Sequence, residues 1–177
     1  EIYVTIFDKR PEQLRLIALL EEWGFVYFGD KNTLTGTEKV YVKNFDRNQD
    51  INIESPKKSF PYSSKENKVF IVPIYPEYHT ELFPDSILKT ESPKNFVENE
   101  PHRNALSKVY ISRSHFKDLK SGDLIVFYRT GGIYAGVATT IGIVENVINN
   151  ISEEEIFIRL CRKRSVFSDN ELKTHWN

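Results

Sequence analysis

Ser121–Thr130 reads SGDLIVFYRT, a turn triplet launching a strand of branched and aromatic residues that ends on an arginine. Strand alternation sets Leu124, Val126 and Tyr128 on one side and Ile125, Phe127 and Arg129 on the other. Gly131-Gly132 follows as a hairpin turn. Two readings of Phe127-Tyr128-Arg129 are open: the packed end of a barrel strand, or the wall of a pocket for something flat and polar.

Outward from this strand, KVFIVPIYP (Lys68 to Pro76) predicts a buried strand, ALSKVYIS (Ala105 to Ser112) a second, and AGVATTIGIVENVI a long third with Gly136 and Gly142 as bends. Glu77 to Leu88 predicts a short helix, Thr90 to His102 a charged loop, and His115 to Asp123 a turn or short crossover. Ser152 with Glu155 forms a capping-box pattern opening a helix to about Lys163, stapled by Ile151 and Ile156. Ser168 with Glu171 repeats the pattern for a last helix, stapled by Phe167 and Leu172. Four or more strands with short crossovers and no βαβ rhythm predict a small mixed barrel of α+β class.

Upstream, EIYVTIF alternates as a strand, and Pro11 suits the first turn of a helix striped by Leu14, Ile17, Leu20 and Trp23. Gly24 stops that helix, and FVYFGD and EKVYVKNF pair as a hairpin carrying Gly36. Residues 46–67 are polar, with two prolines, and read as a linker. The expected domains are therefore 1–45, a linker, and 68–177.

With 24 basic and 25 acidic residues, the charge balance speaks against a general polyanion binder; any nucleic-acid contact is local. The single cysteine, Cys161, excludes a disulfide framework and fits a reducing, cytoplasmic setting as an inert thiol. No run of about 18 apolar residues exists, so no membrane partner is expected. A chain that starts at Glu1 and lacks methionine reads as a fragment of a longer protein. His79, His102, His115 and His175 are dispersed, which predicts no metal site. No glycine-rich phosphate loop or nucleophile motif marks the chain as an enzyme, and no catalytic residue is assigned.

What remains is a gathering of rings and hydrogen-bonding tips at element ends: Tyr75, Tyr78, His79, Asn104, Tyr110, Ser112, Arg113, Phe127, Tyr128, Arg129 and Tyr134. Aromatic faces beside a few polar groups suit a splayed-out base, whose stacking is worth roughly 1–3 kcal/mol. The same rings also suit ordinary core. RLCRKRS (Arg159 to Ser165) offers either a phosphate contact or a solvated face.

The strings VPIYPEYHTELFPDS, NALSKVYISRSHFKDLKSGDLIVFYRTGG and AGVATTIGIVENV resemble the EVE-like branch of the PUA-like superfamily. They look most like the barrel fused behind an acetyltransferase domain in some bacterial proteins. The resemblance covers about Lys68 to Asn177. It implies binding of RNA or a modified nucleobase, with Tyr110, Ser112, Arg113, Phe127, Tyr128 and Arg129 around the pocket and Tyr78, His79 and Asn104 at its rim. Residues 1–45 resemble the carboxy-terminal half of a GNAT acetyltransferase. The acetyl-CoA pyrophosphate loop of that family is missing, and Leu20 stands where a general-acid tyrosine is often found. Acetyl-CoA would then enter only through a longer parent, with the barrel selecting substrate or binding a protein.

Overall fold

The computed structural model describes residues 1–46, 51, 54–89, 91, 100–114, 118–131 and 136–176. The chain divides into two compact units, Glu1–Asn67 and Lys68–Asn177. Both mix helix and strand, as an α+β chain should.

In the first unit, β1 (Ile2–Ile6), α1 (Pro11–Glu22), β2 (Val26–Thr33) and β3 (Gly36–Lys43) follow in the expected order. The strands form an antiparallel sheet with β3 central, in the order β1-β3-β2. The hairpin ladder runs on to Thr33↔Gly36, so the loop is only Leu34-Thr35, and Gly36 takes a φ of +139° that L-residues rarely adopt. Residue Phe28 is the extra residue where the register shifts between Tyr27 and Gly29, a bulge that protects an edge strand. Helix α1 starts on Pro11 and stops at Gly24, whose φ is +80°. Its stripe is half-buried at Ile17, Leu20 and Trp23, while Leu14, Leu16 and Leu19 are exposed. The segment read as a tether instead forms α2 (Pro56–Ser59), with Pro56 and Ser59 buried and Lys57 paired to Glu22. Residues 47–50 and 52–53 of that segment lie outside the described residues.

In the second unit, β4 (Val69–Ile74) pairs parallel to β5 (Leu124–Arg129), and β5 pairs antiparallel to β6 (Val137–Ile143). Helices α3 (Pro76–Leu82) and α4 (Pro101–Asn104), with a 3₁₀ turn at Pro84–Ser86, separate β4 from β5 in sequence. Helices α5 (Glu154–Cys161) and α6 (Asp169–Trp176) follow β6 and pack on each other. Among the described residues this is an open three-stranded sheet and no closed barrel. Strand β4 is not fully buried; Val69 and Ile71 face solvent, and Pro73 sits on an edge strand, where no ladder N–H is demanded of it. The strand expected at Ala105–Ser112 pairs with no other strand among the described residues. Its alternation is nonetheless used: Val109 and Ile111 pack toward α5 and α6, while Tyr110 meets Phe127. A backbone bond from the Val109 N–H to the Arg164 carbonyl at 3.0 Å ties the segment down.

Helix α5 begins one residue later than the Ser152 box predicts: Glu153 is its N-cap, without a side-chain cap, and the helix ends at Cys161 rather than Lys163. The second box forms as predicted. The Ser168 N–H donates to Glu171 Oε2 at 2.7 Å, Leu172 is fully buried, and Phe167 packs on the Ile158–Cys161–Leu172 cluster. Tyr134, Gly132, His115 to Lys117 and residues 90 and 92–99 of the charged loop lie outside the described residues.

Candidate nucleobase-binding site

Strand β5 aims its last three side chains in opposite directions. Phe127 (6 % exposed) and Arg129 (7 %) point into the unit, and Tyr128 (39 %) points out. Phe127 belongs to a core with Ile74, Leu82 and Phe83, its ring 4.7 Å from that of Phe83. No base can stack on Phe127 without displacing that core, so its expected place in a pocket wall is replaced by a packing role.

Arg129 is likewise committed inward. Its Nη2 lies 2.6 Å from Oε1 of Glu91. The Leu88 N–H donates to the other carboxylate oxygen of Glu91 at 2.9 Å, and the Thr80 hydroxyl lies 3.3 Å from Oε1. Burial opposes ionisation of Glu91, but the Leu88 N–H and the Arg129 guanidinium outweigh it and hold the carboxyl below its usual range. His79, expected at a rim, is fully buried on α3. Its Nε2 lies 2.6 Å from Thr139 Oγ1 on β6, and burial, aided by Arg129, pushes its pKa down. The Thr140 hydroxyl donates to Ser86 at 3.0 Å. These groups form a polar layer under α3 that is closed to ligand.

The accessible candidates fall into three places. Tyr128 stands on the open face of the sheet that also carries Val69, Ile71 and Ile141, away from Phe127 and Arg129; its hydroxyl lies so close to Gly136 that a Cβ there would collide with it. Tyr110 caps the β4 edge, its hydroxyl donating to the Pro73 carbonyl at 3.3 Å and its ring edge-on to Phe127 at 5.7 Å. Ser112 is exposed; its hydroxyl accepts from the Ser114 N–H at 3.1 Å. Asn104 is exposed at the end of α4.

The third place is a strip of rings. Tyr75, at the start of α3, lies 6.4 Å from Tyr78; Tyr78 lies 5.3 Å from Phe167; Phe167 lies 4.4 Å from the His175 ring on α6. Arg113 closes the far end, its Nη2 donating to the His175 carbonyl at 3.4 Å. Tyr75, Tyr78 and Arg113 are exposed. Phe167 and His175 belong to this strip although their sequence context, a helix staple and a helix end, signals only packing. Glu91 had no sequence signal at all. The basic RLCRKRS face is partly spent, since Arg162 pairs with Asp169.

Among the described residues no group of three or more His, Cys, Asp or Glu is placed to hold a metal ion, and no helix is long and apolar enough to cross a membrane. Comparison of the chain with family models, with curated proteins and with solved structures gives no match.

Proposed function

We propose that the second unit is a binding module for RNA, reading an unpaired or modified base as the PUA-like and EVE-like resemblance implies. The observation that carries the reading is the ring strip Tyr75–Tyr78–Phe167–His175 with Arg113 at its end. Successive rings beside a guanidinium are what single-stranded nucleic acid uses: bases stack on the rings and the cation meets a phosphate. On this reading Tyr75 and Tyr78 stack and Arg113 neutralises one phosphate. The buried Phe127, Arg129 and His79 support the platform from below.

The test is a titration of the full chain with short ribo-oligonucleotides, modified and unmodified, followed by fluorescence anisotropy. Tyr75→Ala and Tyr78→Ala should each weaken binding about 5- to 150-fold, as expected for one lost stack. Arg113→Ala should weaken binding of all sequences alike and reduce the salt dependence by about one phosphate contact. Absence of binding, or binding indifferent to both tyrosines, removes this site.

A second reading, acetyl transfer, draws on the first unit, whose α1 leaves Leu14, Leu16 and Leu19 exposed for a larger acetyltransferase to bury. The residues present do not fit acetyl-CoA. Helix α1 opens on Arg10-Pro11-Glu12, where Pro11 lacks an N–H and Glu12 repels a pyrophosphate. Leu20 carries no proton to donate. This chain alone should show no transfer from acetyl-CoA to any amine, and turnover would overturn that statement.

A further inference from the structure

His79 is the buried hinge-pin of α3. Its ring has no solvent exposure, its Nε2 meets the Thr139 hydroxyl at 2.6 Å, and its Nδ1 has no hydrogen-bond partner among the described residues. Among the described residues the charged groups facing it are Arg129 from β5 and Glu91 from the loop beyond the 3₁₀ turn; Thr139 on β6 and Phe83, with its ring 5.6 Å away, also lie against it. The pair Arg129–Glu91 is already joined at 2.6 Å, so the carboxylate is engaged.

We propose that α3 is a proton-operated latch: protonation of His79 undocks α3 from β5 and β6 and takes Tyr75 and Tyr78 with it. The imidazolium would need an acceptor for Nδ1–H where none stands among the described residues, and would lie beside the Arg129 guanidinium in a space shielded from water. Burial and Arg129 hold the folded-state pKa of His79 below its ordinary 6.5, with Glu91 opposing only in part. The sign follows. The undocked state takes up the proton at about pH 6.5, the docked state only at lower pH, so docking is at full strength above 6.5 and weakens as pH falls below it. For a single proton the undocking constant rises up to tenfold per pH unit in that window. Because α3 carries Tyr75 at its N-cap and Tyr78 as its third residue, the latch would switch the ring strip. That last consequence rests on the RNA-binding reading; the latch itself does not.

The experiment is native-state amide exchange of the full chain between pH 7 and pH 5, corrected for the intrinsic rate. It reads the amides of His79 and Phe83, whose N–H groups bond the Tyr75 and His79 carbonyls. The undocking constant should rise toward tenfold per unit below pH 6.5 in the native chain and stay flat in His79→Gln, whose amide keeps a partner for Thr139 without titrating. In parallel, the His79 imidazole resonances should titrate with a midpoint below 6.5 in the native chain, a measurement that decides the matter even where His79→Gln does not fold. A midpoint at or above 6.5, or an undocking constant independent of pH, overturns the latch. PH-dependent undocking with no RNA bound at any pH upholds the latch and removes the RNA reading. RNA binding with pH-independent docking does the reverse.

Discussion

Arg129 and Glu91, 38 residues apart in sequence, meet at 2.6 Å with 8 % and 19 % of their side chains exposed. An arginine at the end of an aromatic strand reads as a hand held out to a ligand. Here it is held by a carboxylate that the Leu88 N–H and the Thr80 hydroxyl fix in turn.

Breaking this pair on one side should be costly, because the survivor keeps a buried charge. Glu91→Gln or Arg129→Met should each lose roughly 3 kcal/mol or more in urea unfolding, whereas Glu91→Leu combined with Arg129→Met should cost less than either alone. Glu91 sits below its usual 4.5 in the folded chain, so its contribution is present above about pH 4.5 and is lost as pH falls through the folded value. A double variant that loses the sum of the singles would contradict the pairing.

Lys43 offers a parallel case in the first unit. It is 5 % exposed at the end of β3, and its ammonium donates to the Trp23 carbonyl, the C-cap of α1, at 2.6 Å and to the Lys57 carbonyl of α2 at 3.4 Å. A cation at helix C-terminal carbonyls is favourably placed, although burial lowers its pKa. Lys43→Met should cost about 1–3 kcal/mol by leaving the Trp23 carbonyl without its donor. Trp23 fluorescence in a Trp176→Phe background reads the unfolding, and an unchanged urea midpoint would exclude this role.

These two pairs mark where sequence ceases to inform. The alternation of β5 was legible because the period of a strand is a local property, and Phe127, Tyr128 and Arg129 face as it dictates. Alternation gives faces, not neighbours. Val109, Tyr110 and Ile111 alternate like a strand, yet the chain beside them supplies helices rather than a ladder, and the barrel expectation depended on that ladder. Tyr75 and Tyr78 could be picked out as rings at an element end. That Phe167 and His175 continue their line depends on how α6 folds back, which no local pattern encodes. The stripe on α1 named a helix correctly, but nothing in it says whether the stripe is covered.

Cys161 should be chemically silent in the folded chain. It is 3 % exposed against Ile158 and Leu172, and burial pushes its thiol up to about 11. At pH 8 about one thiol in a thousand is then ionised, and the sulfur is shielded as well. Alkylation should proceed only as fast as α5 and α6 separate, and should accelerate with urea in step with unfolding. Modification at the rate of a free thiol in native buffer would show that this helix pair does not pack as described.

The start of α6 tests whether a local cap governs the ring strip's support. Glu171 accepts from both the N–H and the hydroxyl of Ser168, at 2.7 and 2.6 Å, and its own N–H reaches back to the Ser168 hydroxyl at 3.4 Å. The Ser168 hydroxyl and N–H hold the Glu171 carboxyl below its usual 4.5. Ser168→Ala should cost about 1 kcal/mol at pH 7, the usual loss for a helix cap. Leu172→Ala, at a fully buried position, should cost about 2–5 kcal/mol. Since the carboxylate's share of the box exists above pH 4.5 and fades as Glu171 takes up its proton, the penalty of Ser168→Ala should shrink toward pH 3. Urea midpoints of the native chain and both variants at pH 7 and pH 3 give the comparison; a Ser168→Ala penalty that is constant with pH would mean that Glu171 is no partner in the cap.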